Sequence, residues 1–364
     1  MDPRIREHAA LIAETCVELS AGDTLLIDAA PAADDLVVAL MELAGDVGAH
    51  PFVVRDRMGK RFRRAYLRNH ESVIEEPRHI RALYDELDVF VAIRSEANTA
   101  TLADVDPATN AAYDRSIEDI RDVRLATRWC LTQYPSDAYA QLAGMSTAAY
   151  ENFVWDAINR DWAEQAAFQS QLVERLEAAD EVRLRSGDRT DLRLSVDGMI
   201  VLNDTASHNL PGGEVFTAPV VDSVEGEVCF DVPAMIDGVE VADISLRFEG
   251  GRVVEHDAPK HRELVTELLD TDDGARRLGE LGIGMNRAID RFTKNMLFDE
   301  KMGDTVHLAL GMAYDDTVPE GRERNRSAKH EDLIVDMHED SSIELDGEVV
   351  QRNGRFAFED GFEG

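Results

Sequence analysis

His307 stands in the middle of the apolar run Thr305-Val306-His307-Leu308-Ala309-Leu310, and a second apolar run opens on His330-Glu331-Asp332-Leu333-Ile334-Val335. Read as strands, alternation of side chains sends His330 and Asp332 to one face and Glu331 to the other. Ligand-type groups on buried strands need partners, because a polar group left unpaired away from water is costly. Imidazole and carboxylate together suit a bound metal ion, which would supply that partner. Two glutamates also have unusual neighbours. Glu214 follows the tight turn Pro211-Gly212-Gly213 into an apolar strand, and Glu280 lies among Gly279, Gly282 and Gly284. Taken singly these residues decide nothing: a strand histidine is more often a hydrogen-bonded core residue, and a glutamate in an acidic chain is by default solvated. The acidic neighbours Glu300 and Asp336 read as solvated faces.

The elements that must hold these groups fall into two textures. The first is α/β. Ile5, Ala9, Ile12, Cys16 and Leu19 recur at helical spacing, and Thr24 to Asp28 is a short apolar strand. Leu36, Val37, Leu40, Met41 and Ala44 then form a helical stripe, followed by the strand Pro51 to Arg55. That is a βαβ unit, to which Val89 to Ile93 adds a further parallel strand. Gly45 and Gly48 fall after the helix rather than before it, so the dinucleotide fingerprint is missing. Residues 115 to 179 read as mostly helical, ending in one amphipathic run from Asn152 to Ala179. Beyond lie short alternating strands at 181–185, 191–196, 199–202 and 227–231, with a helix over 259–269. Hairpin turns are expected at Gly250-Gly251, Asp346-Gly347 and Asn353-Gly354. The expected architecture is therefore an N-terminal α/β domain with a mostly parallel sheet, residues 1–180, and a strand-rich C-terminal α+β metal-binding domain, residues 181–364.

Composition narrows the partners. The chain has 364 residues, and 73 acidic against 38 basic side chains give a formal charge of −35. Nucleic acid is excluded as a ligand, since neutralising phosphates requires basic patches. No apolar run approaches the roughly 18 residues that a membrane span needs. The N-terminal segment does not read as a secretory signal, and Cys16, Cys130 and Cys229 are scattered and odd in number, which suits a reducing compartment. A cytoplasmic protein is expected, each cysteine serving as a small buried apolar residue.

Four phrases of this sequence resemble those of the thermophilic metallo-aminopeptidases, the aminopeptidase T, aminopeptidase S and PepS type. They are Asn209 to Pro219, Gly279 to Asn286, Phe298 to Gly311 and His330-Glu331-Asp332, in the family's order. Arg128 to Pro135 and Ala143 to Ser146 resemble the family's first domain, so the likeness spans nearly the whole chain. The resemblance implies two divalent metal ions per chain, whether zinc, cobalt, manganese or magnesium. It implies Glu214, Glu280, His307, His330 and Asp332 as ligands, Glu280 and Tyr314 as catalytic groups, and attack of a metal-held hydroxide on the N-terminal peptide bond of a peptide substrate. It also implies a homodimer that encloses the site. The chain departs from the family's pattern at 315–329, which is shorter, more charged and without paired glycines; substrate preference is where this would tell. Two other classes compete. His307, His330 and Asp332 alone would make the facial triad of a mononuclear iron ring-cleaving dioxygenase of related fold, and a catalytically silent scaffold would keep the fold without turnover.

The basic set includes only five lysines, and so acidic a surface repels itself most where salt is scarce. Halophilic adaptation is expected: the melting temperature should be higher in molar than in millimolar potassium chloride. Superimposable melting curves in the two salts would refute it.

Overall fold

The computed structural model describes residues 1–55, 59–70, 73–236 and 238–363. The chain divides into two compact units, residues 1–160 with 206–212, and residues 161–205 with 213–364. The division falls ahead of residue 180 because the expected run from Asn152 to Ala179 is two helices. The first, Thr147–Ile158, stops at Asn159; the second, α3 (Trp162–Glu177), is restarted by Asp161, whose carboxylate accepts from the amides of Ala163 and Glu164 at 3.0 Å. Among the described residues no helix is long and apolar enough to cross a membrane. The three cysteines are buried.

The first unit is built on strands β1 (Thr24–Ala29), β2 (His50–Arg55), β3 (Val89–Arg94) and β4 (Arg128–Gln133). With the short return strand Asn209–Leu210 they form one parallel sheet in the order β2-β1-β3-β4-return. Helix α1 (Pro3–Ala10) runs on into a π-helical stretch, Leu11–Cys16. Helix α2 (Asp34–Val47) crosses from β1 to β2, with Asp34 and Asp35 in its first turn where the helix dipole favours anions. Its buried stripe is Leu36, Val37, Ala39, Leu40 and Ala44, while Met41 faces out at 38% exposure. Strand β4 interrupts the expected helical stretch. Its polar end hides it in sequence: Thr132 and Gln133 are fully buried, and satisfied by hydrogen bonds to Leu210 O and Tyr150 Oη respectively.

The second unit packs two antiparallel sheets. The larger has eight strands, in the spatial order 252–257, 244–249, 225–230, 190–195, 181–186, 341–345, 348–352 and 355–356. Its hairpins turn at Gly250-Gly251, Asp346-Gly347 and Asn353-Gly354, all four glycines and both leading residues having positive φ. The smaller sheet comprises β5 (Leu202–Asp204), β6 (Glu214–Thr217), β7 (Leu278–Gly284), β8 (Thr305–Gly311) and β9 (His330–Asp336), in the order β9-β8-β7-β6-β5. The strand expected at 199–202 begins only at Leu202. One hydrophobic cluster joins Leu281, Ile283, Leu308 and Leu333 of the smaller sheet to Leu184, Leu194, Phe230 and Phe248 of the larger, so the two sheets pack face to face over a shared core.

His8 in α1 is fully buried, its Nε2 2.8 Å from Thr132 Oγ1. The threonine hydroxyl donates its single proton to Leu210 O at 2.7 Å, so His8 Nε2 must carry the hydrogen and donate to the hydroxyl. Nδ1 is then a bare acceptor, with no partner among the described residues. Burial depresses the imidazole to about 3, well under its usual 6.5. The unfolded chain therefore takes up a proton below pH 6.5 that the folded chain refuses until about pH 3. Stability should fall by up to about 1.4 kcal/mol per pH unit across that window. Denaturant midpoints between pH 7 and pH 5 should fall less steeply in His8→Gln than in the parent; equal slopes would exclude His8 as the source.

Candidate metal centre

Strand register decides which residues meet. Glu214 pairs with Gly284, Glu280 with Ala309, and Ala309 in turn with Asp332. Residues two apart share a face, so His307 joins Ala309 and His330 joins Asp332. All five expected ligands therefore lie on one face of the smaller sheet. The opposite face is Val215, Leu281, Ile283, Val306, Leu308, Leu310, Leu333 and Val335, each at most 1% exposed and part of the core. Glu280 reaches the polar face through a bulge. The register slips between Leu278 and Glu280, so Leu278 enters the core although it is two residues away. Gly279 is the extra residue, and a Cβ there would stand 2.3 Å from Met312 O. Small partners make room for large ones: a Cβ on Gly282 would lie 2.0 Å from the His307 ring.

The side chains converge closely. His307 Nε2 lies 3.0 Å from Glu280 Oε1 and 3.3 Å from Glu214 Oε2, while His330 Nε2 lies 3.5 Å from Asp332 Oδ1. His330 Nδ1 donates to Met312 O at 2.8 Å, which fixes the tautomer and leaves Nε2 facing the site. Ligand atoms of Glu214, Glu280 and His307 lie within 4.8 Å of one another, as do those of Glu280, His330 and Asp332. Glu280 belongs to both trios. Burial works against charge on the histidines, yet neighbouring carboxylates prevail: His307, beside Glu280 and Glu214, is raised to about 9, and His330, beside Asp332, to about 10. Desolvation likewise opposes ionisation of Asp332, and His330 outweighs it. Glu214 Oε2, Glu280 Oε2 and Asp332 Oδ1 are buried and receive no hydrogen bond from the described residues. Three carboxylates and two imidazoles with unsatisfied oxygens turned toward one space form a donor set suited to divalent metal.

Tyr314 lies beyond the end of β8. Its ring is 4.8 Å from that of His330 and 6.4 Å, edge-on, from that of Phe216. The phenol holds its proton more tightly than in water, through desolvation first and then through Glu280 and Asp332. Residues 315–329 are fastened down within the unit. Arg322 donates to Asp197 O, buried Asn325 to Gly274 O at 2.9 Å, and Ser327 to Asp272 at 2.8 Å.

Three participants escaped the sequence. Lys301 has no exposed surface; its ammonium contacts Glu300 and lies 2.9 Å from Glu214 Oε1 and 3.7 Å from Asp204 Oδ2. Desolvation disfavours its charge, but these carboxylates hold it protonated. Glu300 is accordingly a partner in a buried ion cluster rather than the solvated face expected, whereas Asp336 remains half-exposed. Gln169 in α3 donates to the backbone carbonyls of Glu214 and Asp204 at 3.0 and 3.2 Å, tying β6 to β5 below the site. The one available signal for Lys301 was the scarcity of lysine: a compact ammonium with three donors suits three converging carboxylates better than a planar guanidinium does.

Removing one member of a buried ion cluster leaves the others uncompensated. Lys301→Met should cost the metal-free protein about 3–5 kcal/mol of unfolding free energy. A urea midpoint matching that of the parent would show that Lys301 does not balance Glu214.

Comparison with known proteins identifies the family and the fold. The family model Peptidase_M29, described as thermophilic metalloprotease (M29), matches residues 1–356. Aminopeptidase 2 of Geobacillus stearothermophilus is 27% identical over 412 aligned residues, covering 98% of each chain. The solved structure of wild-type AmpT from Thermus thermophilus superposes with a TM-score of 0.86 at 24% identity, over 98% of this chain and 99% of that one. A 2,5-dihydroxypyridine dioxygenase from Pseudomonas putida KT2440 gives a TM-score of 0.62 at 14% identity, over 98% and 97%. Both structural likenesses speak to the fold.

Proposed function

The chain belongs to the M29 family of thermophilic metalloproteases and is a metal-dependent exopeptidase of aminopeptidase type; we propose that it removes N-terminal residues from peptides at a dinuclear centre held by Glu214, Glu280, His307, His330 and Asp332. The observation that carries the dinuclear reading is the pair of ligand trios sharing Glu280. A carboxylate belonging to two trios would serve to hold both of two cations, which a mononuclear iron site does not need. That is the ground for preferring a peptidase to the dioxygenase chemistry of the more distant fold relative.

When bound, two divalent ions would supply ionisation of water near neutral pH and polarisation of the scissile carbonyl. The chain's own residues do the rest. Glu214, Glu280 and Asp332 offset the cationic charge from a face closed to solvent on its other side by the core. The hydrogen bond from His330 to Met312 O aims the imidazole before any ligand arrives, so no reorientation is needed at that position. Tyr314, protonated at neutral pH, donates a hydrogen bond toward oxyanion charge developing on the substrate carbonyl, a role typically worth about 2.7–4 kcal/mol of barrier. Glu280, 3.0 Å from His307 Nε2, is the catalytic carboxylate in this proposal. The working unit in this proposal is a homodimer, as the family resemblance implies, and its place is the cytoplasm, as the scattered, odd-numbered and buried cysteines suggest.

Metal counting with kinetics tests the proposal. The parent should bind two ions per chain and hydrolyse aminoacyl-p-nitroanilides, whereas Glu280→Ala should lose both properties and retain its circular dichroism. One iron per chain with oxygen uptake on 2,5-dihydroxypyridine would overturn the peptidase reading, as would near-parental turnover in Glu280→Ala.

A further inference from the structure

The first unit contains a cavity of about 770 Å³ at the carboxyl ends of β1 and β3. Strand β1 has β2 on one side and β3 on the other, so the cavity lies where the strand order reverses, the position at which open parallel sheets bind ligands. Its volume is within the range of small-molecule sites. Phe90, Ile93 and Leu131 contribute apolar lining.

The charge balance of the lining is uneven. Glu96 is held by Lys60, Asp114 by Arg63 at 2.7 Å and Glu118 by Arg121 at 3.5 Å. A fourth carboxylate, Asp28, lines the cavity next to the last residue of β1. Arg61 and Arg94 line the same cavity, and neither has a carboxylate within 4.0 Å among the described residues. Two guanidinium groups lining one cavity are thus left without an acidic partner among the described residues. Next to Arg94, Ser95 is only 5% exposed, and its Oγ has no hydrogen-bond partner among the described residues. A buried hydroxyl left unsatisfied beside a cavity asks for a polar atom from outside the chain.

We propose that this cavity binds a small organic anion, its charged head held by Arg94, Arg61 and the Ser95 hydroxyl and its apolar body laid against Phe90, Ile93 and Leu131. The ligand is not a dinucleotide, because the turn after β1 has no glycine and Asp34 and Asp35 occupy the first turn of α2, where a pyrophosphate would sit. Guanidinium groups match phosphate and carboxylate alike. The site shares no residue with the metal centre, so it stands or falls independently of the peptidase reading.

Isothermal titration of the full metal-loaded chain with phenyl phosphate, benzoate and inorganic phosphate tests this. One saturating site for phenyl phosphate or benzoate is expected, with inorganic phosphate at least about tenfold weaker for want of the apolar body. The preferred head group distinguishes a phosphate ester from a carboxylate. Arg94→Ala and Ser95→Val should each weaken binding, the arginine change by about tenfold or more, with melting temperatures close to the parent's. No saturable binding by either aromatic anion would overturn the proposal. So would binding that survives Arg94→Ala unchanged, since that would place the anion elsewhere, the metal centre included.

Discussion

Face parity in one five-stranded sheet is the constraint on which everything else rests. The sheet must present a dry apolar surface to the core and the five proposed metal-ligand side chains to the opposite space, from strands that are far apart in the chain. Period-two alternation does this for β8, where Val306, Leu308 and Leu310 go inward and His307 goes outward. It does it for β9 as well. It fails for β7, where Leu278 and Glu280 would point the same way. One extra glycine corrects the phase, and the backbone carbonyls of Gly311 and Met312 pass so close to it that no larger residue fits.

The face that carries the proposed ligands also gathers a buried cluster of carboxylates. Glu214, Glu280, Asp332, Asp204 and Glu300 all gather there, with one ammonium and two imidazoles for balance. In a dry site such a cluster contributes little net stability, because desolvating each charge cancels much of the attraction. Its use is geometric. Lys301 engages Glu214 through Oε1 and leaves Oε2 turned toward His307, so the carboxylate offers a chosen oxygen rather than both.

Much of this was legible in the residues alone. Histidine in an apolar strand, and a histidine and aspartate two apart, are visible because alternation is a local rule. The parallel βαβ start and the tail hairpins follow from local rules too. What stayed hidden depends on distance. Lys301 meets Glu214 across 87 positions, and nothing in Phe298-Asp299-Glu300-Lys301 shows that the lysine is interior. The bulge at Gly279 is a property of pairing with β8, not of β7 by itself. Strand β4 was concealed because its buried threonine and glutamine find partners in other segments, and the break between the two helices around Asn159 because both halves are amphipathic.

The chain leaves the second unit after Thr205, adds Asn209–Leu210 to the parallel sheet of the first, and re-enters at Gly213, one residue before Glu214. During vectorial synthesis the amino-terminal unit is consequently unfinished when its first 160 residues have emerged. The outer edge of β4 is bare at that stage, and the buried Thr132 hydroxyl lacks the carbonyl it donates to. A fragment ending at residue 160 would carry an open sheet edge prone to pairing with other chains. The two halves of this molecule are separable as compact bodies but not as autonomous folding modules.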